Sequence, residues 1–375
     1  MKILIITEYF PKTLEFDIRG GAEACAFNEA LQLSKKHEVT VLTSKTKGTP
    51  KEYSIENINV IGCSPKRAYV QKGSIIKRSL FMKDAYKKGI KQDFDIAIGY
   101  NFITHPIAWK IGKKTSKASV ARYHDTWIGE WIKNMGVTGI LGEIIERYNL
   151  SRDFNHIIAV SKYTKDKLAK YFPQEKISVV HNMVDFKVPK HRKYPNPTIA
   201  CVARLVEYKR VEDLIKATNL LKDEIPNLKC QIIGTGPLEK QLKRLTRKLK
   251  LEKNVKFHGF IKKHEEVLKI IASSHIFCLP STVEGFGIVI VEAMKCGTPF
   301  VASRIPPILE ASAGQGGLFF EPGNWKDLAD KIKTLLKDEK LYKKLRKEGL
   351  KQSEKYKREY IGDKLEKILE KVCQS

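Results

Sequence analysis

Two glutamates, Glu284 and Glu292, flank an apolar run in the stretch STVEGFGIVIVEAM, which covers residues 281–294. Glu284 lies beside a glycine turn, and Glu292 lies inside a segment that is otherwise hydrophobic. Burying a carboxylate among apolar side chains is costly unless a polar group lies beside it. The pattern therefore predicts that something polar occupies the space between the two carboxylates.

The segment around these glutamates predicts an anion site. A strand is expected to end near Pro280, and a helix to run from about Gly287 until Gly297 stops it. The N–H groups of Phe286, Gly287 and Ile288 would then point out of a helix N-terminus, where an anion binds. If the anion is a nucleotide diphosphate, each carboxylate can accept hydrogen bonds from hydroxyls of the two sugars that it joins.

Strand-like and helix-like segments alternate along the whole chain, as in βαβ units. The strand-like runs of the first half are KILIIT, HEVTVLTS, DFDIAIGYN, ASVARYH and HIIAVS. Those of the second half are TIACVAR, LKCQIIGTG, NVKFHGF, HIFCLPS, TPFVAS and GGLFFEP. Helices are expected to start after Ser161 and after Asn324, which are typical N-cap residues. The pattern predicts an α/β protein with two doubly wound, Rossmann-like domains that bind ligands at the carboxyl ends of their strands.

The segment FKVPKHRKYPNPT, residues 186–198, interrupts the alternation with three prolines and is typical of a linker. We therefore expect an N-terminal domain over 1–188 and a C-terminal domain over 189–355. The last helix, 356–375, is expected to pack back on the N-terminal domain.

Composition narrows the classes of partner. The chain has 69 Lys and Arg against 42 Asp and Glu, a formal charge of +27, which favours a nucleotide, a nucleic acid or an acidic membrane surface. The seven cysteines are scattered and form no C-x-x-C pair, which is typical of reduced thiols in a cytosolic chain. The nine histidines form no zinc-binding pattern. No segment approaches the roughly 20 apolar residues of a spanning helix, so we expect a cytoplasmic protein, soluble or peripheral on the inner face of the membrane.

The E-x7-E spacing with its internal Gly-Phe-Gly, followed by AMKCGTPFVAS, closely resembles the signature of retaining glycosyltransferases of the GT-B fold, specifically glycosyltransferase family 4. Further matching segments are RGGAE, AVSKYTKDKL, ARLVEYKRVEDLI, IIGTGPLEKQL and GGLFFEPGNWKDLADKI. The resemblance implies two domains that face a cleft. It also implies sugar transfer, with retention and without a metal or cofactor, from a UDP- or GDP-linked sugar to a hydroxyl of a lipid or growing glycan.

Carried over to the second domain, the resemblance gives each residue an expected role. Glu284 binds hydroxyls of the donor sugar, and Glu292 binds the ribose of the nucleotide. Arg204 and Lys209 grip the diphosphate, which fits the charge of the leaving group. The remaining donor-binding positions are Phe260 and Ile261 along the nucleobase and the loop residues Gly285, Phe286, Gly287 and Ile288.

In the first domain, Gly20 and Gly21 resemble the loop that closes over the donor phosphates, where the lack of a Cβ permits close backbone approach. His124, in ARYHDTW, matches the family position beside the transferred sugar. The resemblance implies that His124 donates or accepts a hydrogen bond near the anomeric carbon and is not the nucleophile.

Some positions depart from the family pattern or imitate other motifs. His181 and Met183 stand where the family usually has Pro and Gly, and His275 stands where an aspartate is common. GTGPLE, from Gly234, fails the dinucleotide fingerprint because a glutamate takes the place of its third glycine. DFD at 93–95 imitates a metal-binding D-x-D, but its position favours a turn that starts a strand.

The basic stretch, residues 66–91, holds nine Lys and Arg against the single acid Asp84. Apolar residues are interleaved with them, namely Ile75, Ile76, Leu80, Phe81 and Tyr86. One interpretation is a solvated helix face, and the other is docking on anionic lipid headgroups or on a phosphate-bearing acceptor. Nucleic acid is not expected, because no recognition motif accompanies the charge.

Two alternatives to a transferase remain open on the sequence alone. One is an isomerase of the same fold, similar to nucleotide-sugar 2-epimerases, which binds similar donors without an external acceptor. The other is a basic protein without catalysis that binds membranes or nucleic acid.

Overall fold

The structure is a computed structural model that describes residues 1–14, 20–46, 48–67, 75–225 and 227–374. Its contacts divide the chain into two units, Met1–Met183 with Arg358–Ser375, and Val184–Lys357. The corresponding boundaries predicted from the sequence are 188/189 and 355/356. Residues 180–197, which include the boundary between Met183 and Val184, form neither helix nor strand.

The first unit is built on an eight-stranded sheet of order β3-β4-β2-β1-β5-β6-β7-β8. Its strands are β1 Lys2–Ile6, β2 Glu38–Ser44, β3 Glu52–Ile55, β4 Ile58–Cys63, β5 Ile96–Gly99, β6 Ala118–Tyr123, β7 His156–Ala159 and β8 Ile177–Val179. Neighbouring strands are parallel, except that β3 pairs antiparallel with β4. This edge departs from the predicted βαβ pattern of an open parallel sheet, because the short β3–β4 hairpin needs no crossover helix.

Helices of the first unit are α1 Gly21–Leu33, α2 Ile75–Gly89, α3 His105–Thr115, α4 Trp131–Met135, α5 Gly139–Leu150 and α6 Lys162–Leu168. The predicted cap at α6 is confirmed, because Ser161 Oγ accepts the backbone N–H of Thr164 at 3.0 Å. At the aspartates of the DFD segment, the Lys2 N–H donates to Asp95 at 2.7 Å and the Lys2 ammonium pairs with Asp93 at 2.6 Å. These bonds tie the start of β5 to β1.

The second unit is built on a fully parallel six-stranded sheet of order β11-β10-β9-β12-β13-β14. Its strands are β9 Thr198–Val202, β10 Lys229–Ile233, β11 Val255–Gly259, β12 Ile276–Leu279, β13 Phe300–Ser303 and β14 Gly317–Phe320. Its helices are α7 Val211–Leu221, α8 Glu239–Lys248, α9 His264–Ser273, α10 Ile288–Lys295, α11 Pro306–Ser312, α12 Trp325–Lys337 and α13 Glu339–Ser353. The last helix, α14 Arg358–Gln374, belongs to the first unit and contacts α1.

The predicted caps and cysteines can be located in these units. Asn324 caps α12 by accepting the N–H of Asp327 at 3.1 Å, as predicted. All seven cysteines lie among the described residues and none is in a disulfide; Cys373 alone is exposed. No helix of the described chain combines the length and apolar character required to cross a bilayer.

Each sheet has a point where the strand order reverses, and this point fixes where ligands bind in such folds. In the second sheet, β9 lies between β10 and β12, so the chain proceeds outward in both directions from the β9–β12 pair. The loops after these two strands carry Arg204, Lys209 and Glu284. In the first sheet, the strand order reverses at the β1–β5 pair. His124 follows β6, which lies beside β5.

Candidate functional site

The loops that follow β9 and β12 are joined through backbone hydrogen bonds. The N–H of Thr282 donates to the carbonyl of Tyr208 at 2.8 Å, and Thr282 Oγ1 donates to the same oxygen at 3.2 Å. The loop that holds Arg204 and Lys209 is thereby held beside the loop that holds Glu284.

Three of the predicted donor-site residues come together at this junction. Lys209 Nζ donates to Glu284 Oε1 at 2.5 Å, and their side chains are 14% and 12% exposed. Arg204 donates from Nη2 to the hydroxyl of Tyr208, and its guanidinium lies 5.9 Å from the centre of that ring. Sequence reasoning missed Tyr208, although an aromatic residue four positions after Arg204 in the same loop is a signal for such a contact.

Two glycines in the segment after β10 explain how the Arg204 loop is supported. A Cβ on Gly234, whose φ is +127°, would lie 2.0 Å from the carbonyl oxygen of Ala203, and one on Gly236 would lie 2.4 Å from that of Leu205. The Leu205 N–H donates to the carbonyl of Thr235 at 3.0 Å. The segment IIGTG is thus a backbone support for the β9 loop, which the failed dinucleotide motif did not reveal.

Helix α10 begins where the sequence places it. Gly287 is its N-cap with φ 84° and ψ 50°, a left-handed conformation that glycine adopts without strain. The Phe286 side chain is buried and packs edge-on against Tyr356, with ring centroids 5.5 Å apart. Because that ring faces protein, Phe286 can offer a ligand only its backbone.

Glu292, one turn into α10, is 8% exposed and has a partner that the sequence did not reveal. His264 Nε2 lies 3.1 Å from Glu292 Oε1. Burial by itself lowers the pKa of His264, but the charge of Glu292 and their hydrogen bond outweigh it, so the pKa is raised above its usual value. The polar neighbour that the buried carboxylate requires is therefore present in the protein itself, at the first residue of α9.

The segment expected along the nucleobase follows β11. Phe260 is 36% exposed, and Ile261 is half-buried. Because all six strands are parallel, this segment shares the carboxyl edge of the sheet with the loops after β9 and β12.

His124 lies in the first unit, directly after β6. Its Nε2 atom is buried and has no hydrogen-bond partner among the described residues. Burial, with the charges of Arg122 and His105, lowers the pKa of His124 well below its usual value. The imidazole is therefore neutral at physiological pH.

Below His124 lies a buried ion pair that sequence reasoning missed. Arg122 donates from Nη2 and Nε to Glu29 Oε1 at 2.9 and 3.1 Å, and both side chains are completely buried. Tyr100 donates to Glu29 Oε2 at 2.5 Å, and Cys25 donates to Oε1 at 3.0 Å. This cluster ties α1 to the ends of β5 and β6. Helix α1 begins at Gly21, and strand β6 leads into His124.

Gly20 and Gly21 begin α1 in the first unit. Among the described residues, a Cβ on Gly21 would meet no atom within 4 Å, and one on Gly20 would lie 2.8 Å from the flexible carboxylate of Glu23. Packing against the described part of the chain therefore does not require glycine at position 21.

Two further residues have partners within the protein: His275, which stands where the family often has an aspartate, and Asp185, near the start of the second unit. His275 Nδ1 accepts the N–H of Thr198 at 3.1 Å, which ties β12 to β9. Asp185 pairs with Lys295 at 3.1 Å. Neither residue lies at the carboxyl edge of the second sheet.

Sequence comparison decides the family. The profile described as "Glycosyltransferase Family 4" matches residues 19–188, and that of "Glycosyl transferases group 1" matches residues 184–352. The chain belongs to glycosyltransferase family 4. This confirms the resemblance drawn from the E-x7-E signature.

Relatives cover different shares of this glycosyltransferase. An uncharacterized glycosyltransferase of Methanocaldococcus jannaschii is 25% identical over 366 residues, 90% of each chain. One of Haemophilus influenzae is 31% identical over 186 residues, which cover 48% of this chain and 52% of that relative. The N-acetyl-alpha-D-glucosaminyl L-malate synthase of Bacillus anthracis is 29% identical over 185 residues, 46% of this chain and 48% of that relative. The chain thus spans about half of the length of the last two.

Among solved structures, Anabaena HepE in complex with UDP and glucose is similar with a TM-score of 0.77. The two share 20% identity, and the match covers 99% of this chain and 100% of that one. The likeness shows the GT-B fold, as predicted.

Proposed function

We propose that this glycosyltransferase moves a sugar from a UDP- or GDP-linked donor to an acceptor hydroxyl, with retention and without a metal ion. The observation that carries the proposal is the cluster of Arg204, Lys209 and Glu284 at the carboxyl ends of β9 and β12. Two cations and a helix N-terminus at this edge of the sheet suit a diphosphate.

Each group has a task in the proposed reaction. As the bond between the anomeric carbon and the diphosphate breaks, negative charge grows on the leaving oxygen, and Arg204 and Lys209 stabilise it. Lys209 is already paired with Glu284, so donor binding adds the phosphate to an ion pair that exists. Glu284 then accepts hydrogen bonds from the sugar hydroxyls.

Retention is proposed through departure and attack on the same face of the sugar. The acceptor oxygen bonds to the anomeric carbon while its proton passes to the departing phosphate oxygen. His124 supports this step as a neutral imidazole, because a neutral ring offers a hydrogen bond without repelling the positive charge that develops at the anomeric carbon.

A lipid acceptor is proposed on the surface of the first unit. Helix α2, within the basic stretch, exposes Ile75, Ile76 and Leu80 by 54%, 72% and 48%. The helices α4 and α5 and the turn between them expose a second apolar set, namely Ile132, Val137, Ile140, Leu141 and Ile144. Apolar side chains beside lysines are typical of surfaces that dock on anionic membranes. Residues 68–74 of the basic stretch lie outside the described residues.

The basic residues of this stretch differ in what they contact. Arg78 pairs with the buried Glu8 at 3.1 Å, and Lys88 pairs with Asp84 at 3.1 Å. Both are therefore tied to the protein, and replacing them would disturb the fold as well as the surface charge. Lys83, Lys87 and Lys91 are exposed and offer a cleaner test of docking.

Replacing Lys83, Lys87 and Lys91 by Ser together should weaken binding to anionic vesicles at low salt. The matched control removes three exposed charges from α8, namely Lys240, Arg244 and Lys248, and should leave binding unchanged. Co-sedimentation with vesicles measures both variants. Equal binding to neutral and anionic vesicles would remove the docking proposal.

The experiment that tests the proposed function is incubation with labelled UDP- and GDP-sugars, alone and with a lipid extract, with and without a chelator. Transfer or slow hydrolysis of one donor, insensitive to the chelator, is the expected result. Interconversion of the sugar nucleotide without transfer would instead identify an isomerase. Binding without turnover of any donor would contradict the proposal.

A further inference from the structure

A pocket of about 400 Å³ lies in the second unit, lined by His191, Lys193, His275, Tyr342 and Arg346. The first two residues precede β9, His275 directly precedes β12, and the last two lie one turn apart on α13. The pocket is therefore at the amino ends of the strands, on the opposite edge of the sheet from the proposed donor site. Its volume falls within the range of small-molecule sites.

The side chains of this pocket carry positive charge without a compensating acid. No carboxylate is among the described residues that line it. Lys193 Nζ donates to the carbonyl of Ser274 at 2.5 Å, an uncharged partner. The Tyr342 hydroxyl oxygen is buried and has no hydrogen-bond partner among the described residues.

The positive groups are close enough to influence one another. Burial and the nearby charge of Arg346 lower the pKa of Lys193 to about 8. Burial and the charge of Lys193 in turn lower the pKa of His275. Like charges that face one pocket repel, and an anion between them would relieve the repulsion.

We propose that this pocket binds a small anion that carries a phosphate group. A guanidinium, an ammonium, a phenol and the Nε2–H of His275, whose Nδ1 accepts the Thr198 N–H, offer hydrogen-bond donors that suit the oxygens of a phosphate. An anion within reach of Tyr342 would also give its buried hydroxyl the partner that the described residues do not provide. The proposal does not depend on the transferase reaction.

The test must separate this pocket from the donor site, because both would take phosphates. The full chain with Arg204→Gln and Lys209→Gln removes the two donor-site cations and serves as the background. Inorganic pyrophosphate and glucose 1-phosphate are titrated separately into this protein by calorimetry. At about 0.15 M salt, screening limits non-specific electrostatic attraction to roughly 8 Å. The two probes distinguish a free phosphate anion from a phosphate ester of a sugar.

Saturable binding of at least one probe is expected in that background. Adding Arg346→Gln or Lys193→Gln should weaken it about tenfold, because each change removes a charged hydrogen bond. Lys347→Gln, at the exposed neighbouring position on α13, should leave the affinity unchanged and controls for net charge. Absence of binding by both probes, or an equal loss in Lys347→Gln and Arg346→Gln, would overturn the proposal.

Discussion

The two units place charged groups near the carboxyl ends of their strands in opposite ways. In the second unit, Lys209 and Glu284 pair at the surface of two loops, with side chains 14% and 12% exposed. In the first unit, Arg122 and Glu29 pair between a helix and a strand and are completely buried. Both pairs have short hydrogen bonds, so the difference lies in their access to solvent.

This difference in exposure indicates that the Lys209–Glu284 pair can contact a ligand, whereas the Arg122–Glu29 pair stabilises the fold. A pair at the rim of a loop can exchange partners with a bound phosphate or hydroxyl, because its groups are not sealed from solvent. A sealed pair cannot, and removing one member leaves the other without compensation in a medium that solvates it poorly. The comparison predicts losses of stability in the first unit and losses of activity in the second.

The largest effect is expected from Arg122→Met. It leaves the Glu29 carboxylate buried without a cation, which should cost about 3–5 kcal/mol of unfolding free energy. The double variant Arg122→Met with Glu29→Leu should recover much of this loss, because no charge then remains buried. Urea unfolding of the three proteins measures both differences. If the double variant were less stable than Arg122→Met, the pair would not be the cause.

The next effect is expected from Arg204→Ala, and it concerns catalysis. Loss of one cation at the leaving group should lower kcat/KM by about 10²–10³, with unfolding free energy changed by no more than about 0.5 kcal/mol. Arg244→Ala, on the exposed face of α8, is the matched control and should keep full activity. Steady-state kinetics with the sugar nucleotide that the enzyme uses measures kcat/KM for both variants. Equal activity in both variants would remove Arg204 from the proposed site.

A finer effect is expected from Glu284→Ala. Because Glu284 is proposed to face the transferred sugar, kcat should fall more than the affinity for the free nucleoside diphosphate. Calorimetry for the nucleotide and single-turnover kinetics for the sugar measure the two separately. Equal losses in both would contradict this division between Glu284 and Glu292.

The smallest effect concerns the His264–Glu292 pair. The pKa of His264 is raised in the folded chain, so its pairing stabilises the fold fully below about pH 6.5 and is lost as pH rises through the folded pKa. With 31% of the His264 side chain exposed, the contribution should stay below about 1 kcal/mol. The stability difference between the natural chain and His264→Gln should therefore shrink between pH 6 and pH 9. A stability difference between the two proteins that grows with pH would contradict this prediction.

Local patterns allowed much of the second unit to be predicted. The strands are buried on both sides and appear as short apolar runs, and the glycines and caps mark where helix and strand end. The start of α10 at Gly287 and the Asn324 cap were both found in this way. The family resemblance implied that Arg204, Lys209 and Glu284 serve one site, and their positions agree with the rule that parallel strands share a carboxyl edge.

The contacts that the sequence did not reveal depend on tertiary packing. Glu29 and Arg122 are 93 residues apart, and nothing near either residue indicates the other. His264 lies on α9 and Glu292 on α10, so their contact forms only when the two helices pack together. Gly234 and Gly236 lie against the backbone of Ala203 and Leu205, which follow strand β9. The β3–β4 hairpin was missed because a short antiparallel edge does not follow the helix–strand alternation.

The proposed function requires the second unit to hold the nucleotide, whose ribose the family resemblance assigns to Glu292, and donor turnover by Glu292→Ala tests this requirement most directly. His264→Ala removes the same ion pair but keeps the carboxylate, and Glu266→Ala removes an exposed carboxylate of α9. The account predicts that Glu292→Ala loses nearly all turnover while remaining folded, and that both controls retain most of theirs. Near-normal turnover by folded Glu292→Ala, or an equal loss in His264→Ala, would contradict it.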